Sequence, residues 1–180
     1  MPWDPRKVAE DLKWLQDHPW FVEKPASIRE FLGEDYLNID EGMREGVRDE
    51  LITLFGETVS GERIAVYRWA MISGAIGIGK TTIASVVLPY MVHWTLCLRN
   101  PQKFFDLLPG SRIAFMMMST SEKQAKETLF GDVKARINHS PWFKNNFPPD
   151  PDLKLQLRFD KDVWILPGSS AETSFEGYIS

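Results

Sequence analysis

The sequence is poor in the residues that build disulfide frameworks and zinc sites. Its 180 residues include one cysteine, Cys97, and three histidines, His18, His93 and His139. A single cysteine excludes an internal disulfide framework and fits a reducing compartment. The histidines are far apart and have no cysteine partners at zinc-ligand spacing, so the sequence predicts no zinc site.

The sequence also lacks an apolar run long enough to cross a membrane. Residues 83–98 are almost continuously apolar, but they span 16 positions and include Pro89 and His93. A bilayer needs about 20 apolar residues. The first residues are rich in proline and charge, so no signal peptide is predicted. We therefore expect a cytoplasmic protein in which residues 83–98 form a core helix.

Strong positive charge is missing as well, because the net charge is −4. Residues 1–62 carry 7 Lys and Arg against 15 Asp and Glu, a net charge of −8, whereas residues 63–180 carry 14 against 10, a net charge of +4. The asymmetry can mark a nucleic-acid-facing body with an acidic appendage, but charge alone favours an acidic solvated helical region beside a near-neutral domain. Residues 111–147, the most basic stretch, could contact a polyanion or form a solvated helix face.

A glycine-rich motif at residues 70–84 carries the clearest chemical signal. Gly74, Gly79, Lys80 and Thr81 satisfy G-x-x-x-x-G-K-[ST], the phosphate-binding loop of nucleoside triphosphatases. Glycines let backbone N–H groups turn towards an anion, and the following helix presents its positive N-terminal end to the same phosphates. Lys80 would reach the β- and γ-phosphates, and the Thr81 hydroxyl would bind Mg²⁺. The sequence therefore predicts a nucleoside triphosphate site.

The flanking segments have the order that this motif requires. Residues 69–73 form a short apolar run, which predicts a buried strand, and residues 82–98 predict a helix. Upstream, residues 1–62 predict a helical N-terminal lead-in, and residues 64–67 predict a strand. Three helices are expected in the lead-in. The first runs from Pro5 to about His18, with an apolar stripe of Val8, Leu12 and Leu15. A short second helix follows the Ser27–Glu30 capping box, and the third covers residues 43–55, with Val47, Leu51, Leu54 and Phe55 on one face.

Downstream of the motif, the pattern alternates between strand and helix. Residues 112–119 are a continuous apolar run, which predicts a central parallel strand buried on both faces, with its three methionines in the core. A Ser119–Glu122 capping box starts a predicted helix to about residue 138, with a buried face of Ala125, Leu129, Val133 and Ile137. Residues 153–159 alternate as a half-exposed strand that pairs with residues 163–166, and residues 167–170 are turn-like. This order predicts an α/β fold, a P-loop NTPase with a parallel sheet core.

An acidic pair that completes a hydrolytic site is missing. Mg²⁺ and the attacking water usually require carboxylates at the end of a buried strand. No run of four apolar residues ends in Asp-Glu. The segment most similar to such a run is residues 157–160, which ends in Asp160 but lies on a predicted edge hairpin. Glu172 and Glu176 lie in turn-like sequence.

Several motifs together resemble the ATPase domain of the terminase large subunit, the DNA-packaging motor of tailed bacteriophages. The resemblance covers about residues 36–178. It rests on the glycine motif at residues 74–81, on residues 113–119 leading into Glu122-Lys-Gln-Ala125, on Ser140-Pro-Trp-Phe143, and on Pro167-Gly-Ser-Ser-Ala-Glu-Thr173 with Gly177-Tyr178.

The resemblance implies a role in ATP-driven translocation of double-stranded DNA into procapsids. Its implied cofactors are ATP and Mg²⁺, with Lys80 and Thr81 as catalytic residues and Thr81 as the metal ligand. The implied nucleotide cradle is Gly74, Ala75, Ile76, Gly77, Ile78, Gly79, Lys80, Thr81 and Thr82. Implied partners are double-stranded DNA, a portal protein, a small terminase subunit and further copies of the chain in a ring. The location would be the host cytoplasm, with no membrane partner.

The resemblance also implies an incomplete domain. Residues 1–62 would be the helical lead-in, and residues 63–180 the P-loop ATPase core, ending before the acidic strand. A nuclease domain would lie beyond, and no motif singles out Arg68, Arg112 or Arg136 as an arginine finger. Two alternatives remain open: a helicase-like or other cellular P-loop ATPase, and a truncated nucleotide-binding module without turnover.

Overall fold

The structure is a computed structural model that describes residues 4–75, 77, 79–119 and 129–169. The helices of these residues are α1 (Pro5–Asp17), α2 (Ile28–Leu32), α3 (Glu45–Phe55), α4 (Lys80–Cys97), α5 (Pro101–Phe104), α6 (Phe130–His139) and α7 (Pro141–Asn146). The strands are β1 (Ile113–Ser119), β2 (Leu157–Phe159) and β3 (Val163–Ser169), with a 3₁₀ turn at Asp160–Asp162 between the last two.

The N-terminal helices begin where their capping residues predict. The Asp4 carboxylate accepts a hydrogen bond from the Arg6 backbone N–H at 2.9 Å, with Pro5 in the first turn of α1. Both halves of the predicted Ser27–Glu30 capping box are present at the start of α2. Short-range sequence signals therefore place these helices correctly.

The predicted apolar stripe of α1 packs against the core only at Leu15, which is partly buried. Val8 and Leu12 are 41% and 57% exposed, and no residue of the helix is buried. Only the last turn of α1 reaches the core, where the Trp14 ring packs edge-on against Phe21 at 5.0 Å between centroids. The segment after α1 is hydrogen-bonded to the C-terminal end of α4, where the Val22 backbone N–H donates to the Cys97 carbonyl at 2.9 Å. That attachment leaves the first turns of α1 in solvent.

Helix α4 is the centre of the core. Eleven of its residues are buried, as expected for a helix that is apolar on all sides. Phe21 packs against Trp94 at 5.1 Å, and Phe31 and Phe55 pack against Tyr90 at 5.2 and 4.5 Å. The N-terminal helices and α4 thus share one hydrophobic core, although the division at residue 62 stays a prediction. In the described residues no helix is long and apolar enough to cross a membrane.

The described sheet has three strands in the order β1-β3-β2. Strand β1 is parallel to β3, from Ile113 opposite Val163 onward, and β2 is antiparallel to β3. The predicted hairpin of β2 and β3 is confirmed, but β2 is shorter than expected, and Leu155 lies outside it with 67% exposure. The sheet is therefore mixed rather than purely parallel, which is consistent with an α/β P-loop fold.

Strand β3 also extends further than predicted, through residues 167–169, which were expected to form a turn. Strand β2 begins at Leu157, opposite Ile165, so it does not extend to Pro167, which pairs only with Met117 of β1 among the described residues. A position with a neighbour on one side tolerates a proline, whose missing N–H need not be satisfied. The turn-like composition was therefore misleading.

The prediction that β1 is buried on both faces is wrong for the described sheet. Of its methionines, Met117 is 4% exposed, whereas Met116 and Met118 are 39% and 61% exposed. Strand β1 lies at the edge of the described sheet, with β3 on one side. An apolar run indicates a strand, but it does not indicate how many neighbours that strand has.

The two strands predicted before the glycine motif, at residues 64–67 and 69–73, are not strands in the structure. Trp69 and Met71 are 92% and 94% exposed, and Val66 N–H bonds to the Leu54 carbonyl of α3 at 2.8 Å rather than to a strand. Apolar composition alone cannot supply the hydrogen-bonded neighbour that a strand requires. This segment instead borders an apolar groove of about 380 Å³ between α4 and β1.

Helix α6 confirms the predicted buried face in the part that the structure describes. Val133 and Ile137 are fully buried and Leu129 is partly buried, whereas Glu122 and Ala125 lie outside the described residues. Two short helices were missed. Asn100 caps α5 through Lys103 N–H at 3.0 Å, and Ser140 caps α7 through Phe143 N–H at 3.3 Å, each followed by a proline. The dipeptides Asn100-Pro101 and Ser140-Pro141 could have indicated these helices, because proline after a capping residue is typical of a helix start.

Lys161 caps the C-terminal end of α4. Its ammonium donates to the Leu96 and Leu98 carbonyls, both at 2.6 Å, where helix carbonyls lack partners. Burial lowers the pKa of Lys161. We expect Lys161→Met, which keeps the apolar stem, to lower the free energy of unfolding by about 1.5–3 kcal/mol. Urea denaturation measures the change, and the exposed Lys154→Met should stay within about 0.5 kcal/mol of the unsubstituted protein. Equal stabilities of the two variants would contradict the capping role.

Candidate phosphate-binding site

The glycine motif forms a turn that leads directly into α4. Gly79 precedes the helix with φ 102° and ψ 12°, a left-handed conformation that favours glycine. Its carbonyl accepts the first helical bond, from Ile83 N–H at 2.9 Å. Because no side chain of the described residues caps this end of α4, its first N–H groups are available to an anion.

Lys80 folds back over the loop that precedes it. Its ammonium donates to the Gly74 carbonyl at 2.6 Å and to the Ala75 carbonyl at 2.9 Å. Thr81 is exposed and Thr82 is half-buried in the same helical turn. The lysine and the threonine hydroxyls thus lie together at the N-terminal end of α4.

A pocket of about 490 Å³ opens at this end of α4. It lies between the loop and the segment that leads into α3. Its lining is formed by Gly42, Met43, Arg44, Val47, Gly77, Gly79, Lys80, Thr81 and Thr82. Among the described residues, the lining includes two cations, Arg44 and Lys80, and no carboxylate. Two positive side chains and uncapped helical N–H groups favour a polyanionic ligand.

The residues present fit a nucleoside triphosphate with Mg²⁺. Gly77 has φ +89°, and a Cβ built on it would meet no atom within 4 Å, so a ligand can approach the backbone closely. Gly79 is close-packed instead, because a Cβ there would meet Val47 Cγ2 of α3. Lys80 and the Thr81 hydroxyl supply the phosphate and Mg²⁺ ligands that the chemistry requires.

The structure brings most of the predicted site residues together. One pocket is lined by Gly77, Gly79, Lys80, Thr81 and Thr82. Gly74 and Ala75 are connected to this pocket because their carbonyls accept hydrogen bonds from the Lys80 ammonium. Ile76 and Ile78 lie outside the described residues. The assignment of these residues as nucleotide ligands stays a prediction.

Arg44 is the residue of this pocket that sequence reasoning missed. It lies 33 positions before Gly77 and reaches the loop only because α3 packs on it. The arginines considered in the sequence lie elsewhere: Arg68 borders the apolar groove, Arg112 packs over the Trp164 ring at 4.3 Å, and Arg136 donates to the Ser85 hydroxyl at 2.7 Å.

No carboxylate of the described residues lines the pocket, and the predicted lack of an acidic pair stays a prediction. Asp160 is exposed in the 3₁₀ turn after the edge strand β2, where it lines a different pocket with Asp150 and Asp162. Glu172 and Glu176 lie outside the described residues.

Outside this pocket, Glu23, His93 and Cys97 bring their ligand atoms within 4.8 Å of one another. The prediction that no histidine has a cysteine partner is therefore wrong, because His93 and Cys97 are one turn apart on α4. Hydrogen bonds already occupy this cluster. Ala26 N–H donates to His93 Nε2 at 2.9 Å, and Cys97 S–H donates to the Glu23 carboxylate at 3.2 Å. The Cys97 sulfur lies 3.9 Å from both ring nitrogens of His93.

His93 makes the stability of the fold depend on pH. Burial lowers the pKa of His93 to about 3, and protonation of Nε2 would break its bond from Ala26 N–H. An unfolded histidine binds a proton near its ordinary pKa of about 6.5. The neutral His93 ring therefore makes its full contribution to the free energy of unfolding above about pH 6.5. That contribution is lost as the pH falls from about 6.5 towards 3, by up to about 1.4 kcal/mol per pH unit.

His93→Gln, which keeps an acceptor for Ala26 N–H, should remove this dependence. The unsubstituted protein is expected to lose more unfolding free energy than the variant between pH 6.5 and 4.5, as measured by urea denaturation. Parallel stability curves for the two proteins over that range would contradict the assignment.

The loop, its helix and the α/β arrangement define a P-loop domain, a class of protein that binds nucleotides. A family model described as "Uncharacterized protein MJ0330, N-terminal P-loop domain" matches residues 7–179, and the chain belongs to this family. Searches of the curated proteins and of the solved structures found no match to the chain.

Proposed function

We propose that the pocket at the phosphate loop binds ATP with Mg²⁺, and that the chain is the ATP-binding part of a DNA-packaging motor of the terminase large-subunit type. One observation carries the nucleotide part of the proposal: Lys80 and Thr81 begin α4 and line one pocket with Gly77 and Gly79, to which no described residue adds a carboxylate. Membership in a P-loop family supports nucleotide binding in general.

Each residue of the pocket has a defined part in this binding. The N–H groups of the loop and of the first turn of α4 would hold the phosphate oxygens, and Lys80 would bind the β- and γ-phosphates. The Thr81 hydroxyl would hold Mg²⁺, which neutralises phosphate charge when it is bound. Lys80 reaches these phosphates by exchanging its bonds with the Gly74 and Ala75 carbonyls for bonds with phosphate oxygens.

The motor part of the proposal rests on the sequence resemblance. Residues 113–119 and 140–143 match terminase motifs in type and order, and they occupy β1 and the start of α7. The matched family is described as an N-terminal P-loop domain, and it supports nucleotide binding rather than the motor role. Proposed partners are double-stranded DNA, a portal protein, a small terminase subunit and other copies of the chain in a ring.

A binding module without turnover is the second candidate, because no described residue supplies a carboxylate to the pocket. Hydrolysis requires a group that orients the attacking water. This candidate predicts Lys80-dependent ATP binding with no phosphate release. A helicase-like or other cellular P-loop ATPase predicts a response to single-stranded nucleic acid instead.

The test measures Mg-ATP binding and phosphate release side by side, for the unsubstituted protein and for Lys80→Ala, with linear double-stranded DNA, single-stranded DNA or neither. The proposed function predicts Lys80-dependent Mg-ATP binding that double-stranded DNA strengthens, with an effect that weakens as salt rises. Stimulation by single-stranded DNA alone would favour the helicase-like alternative. Binding that ignores both nucleic acids would contradict the packaging role and leave a nucleotide-binding module.

A further inference from the structure

Arg44 reaches the phosphate loop from outside the glycine motif. It is the residue before α3, with an extended backbone at φ −66° and ψ 138°. Its side chain crosses to the loop, where Nη1 donates to the Gly77 carbonyl at 2.5 Å, and it lines the same pocket as Lys80, Thr81 and Thr82.

The packing of α3 holds Arg44 at this position. Val47, one turn later, is 4% exposed and packs so closely on Gly79 that a Cβ there would clash with it. The backbone N–H of Val47 donates to the Arg44 carbonyl at 3.0 Å, which fixes the start of the helix. The guanidinium is therefore carried by an element that is itself packed against the loop.

Two arginines one turn apart, Arg44 just before α3 and Arg48 within it, differ in their partners. Arg48 forms an ion pair with the Asp40 carboxylate at 2.8 Å and also donates to the Asp40 carbonyl. Arg44 forms no ion pair with any described residue, and its bond to Gly77 uses one of the five N–H donors of a guanidinium. The remaining donors suit phosphate oxygens, which arginine binds in a two-pronged geometry.

We propose that Arg44 is a phosphate-binding residue of this site, which contacts the β- and γ-phosphates of a nucleoside triphosphate alongside Lys80. The inference rests on the proposed nucleotide binding and deepens it. Arg44 and Lys80 are the charged residues of the described pocket lining, so both cations face the same ligand. The bond between Arg44 and the Gly77 carbonyl keeps the guanidinium beside the loop before and during binding.

The experiment compares Arg44→Gln with Arg48→Gln, a matched control on the same helix, and includes Lys80→Ala. Calorimetry measures the Kd for Mg-ATP, and competition measures the Kd for AMP, which lacks the β- and γ-phosphates. We expect Arg44→Gln to weaken Mg-ATP binding at least about tenfold, or about 1.4 kcal/mol, and AMP binding less than about twofold. Arg48→Gln should change either Kd by less than about twofold, because its ion pair is at the surface.

Three outcomes would contradict the proposed role of Arg44. Unchanged Mg-ATP binding in Arg44→Gln, with binding still dependent on Lys80, would overturn the role of Arg44 and leave the proposed site intact. An equal loss of Mg-ATP and AMP binding would assign Arg44 to loop shape and would also overturn its phosphate contact. Failure of the unsubstituted protein to bind Mg-ATP, or binding that ignores Lys80→Ala, would overturn the proposed function and this inference with it.

Discussion

Lys80→Ala is expected to raise the Kd for Mg-ATP at least about 100-fold, a loss of about 2.8 kcal/mol of binding free energy. The substitution removes the ammonium that would form charge-assisted hydrogen bonds with the β- and γ-phosphates. It also removes two bonds to the Gly74 and Ala75 carbonyls, but these lie at the surface of the fold. The fold should therefore survive, with a loss of unfolding free energy below about 1 kcal/mol.

Isothermal titration with Mg-ATP measures this effect, and urea denaturation shows that the variant is folded. Lys144→Ala is the matched control, because Lys144 is exposed in α7 and does not line the pocket at α4. Its Kd should equal that of the unsubstituted protein. A folded Lys80→Ala variant that binds Mg-ATP normally would show that the pocket is not the nucleotide site.

Phe31→Ala is expected to produce the largest loss of stability, about 3–5 kcal/mol. Phe31 is fully buried, and its ring contacts Tyr90 and His93 of α4 and Phe143 of α7, with centroids 5.2, 4.9 and 6.5 Å away. Removal of the ring leaves a cavity at the junction of α2, α4 and α7. A loss of this size is a large share of a typical domain stability of about 5–15 kcal/mol.

Urea denaturation of Phe31→Ala and of Leu12→Ala separates this effect from a general loss of apolar surface. Leu12 is 57% exposed on α1, so its substitution should change the unfolding free energy by less than about 0.5 kcal/mol. A loss below about 1 kcal/mol in Phe31→Ala would mean that the N-terminal helices and the P-loop helix do not share a core.

Local signals in the sequence were sufficient for helices α1 to α4 and for recognising the glycine motif, although α5 and α7 were missed. The Asp4 and Ser27 caps, the burial of Val47 and Leu51, and the start of α4 after Gly79 all depend on residues within one or two turns of one another. Such patterns are readable because helical bonds and caps are short-range.

Long-range pairing could not be predicted in the same way. Residues 69–73 have the composition of a buried strand, yet Trp69 is exposed, because composition does not determine which segment provides a hydrogen-bonded neighbour. Arg44 could not be found for the same reason, since its 33-residue separation from Gly77 is closed only by the packing of Val47 against Gly79. Cys97 and His93 could have been found, because their spacing on a predicted helix places them on one face.

A titration of the isotopically labelled protein with Mg-ATP, followed by amide NMR, tests the nucleotide site most directly. The account predicts saturable shifts concentrated at the amides of Gly77, Gly79, Lys80 and Thr81, with a smaller response at Arg44. The turn at Asp160–Asp162, which lines a separate pocket, should not respond. Absence of shifts at millimolar Mg-ATP, or shifts centred on that turn, would contradict the assignment of the glycine motif as the phosphate-binding site.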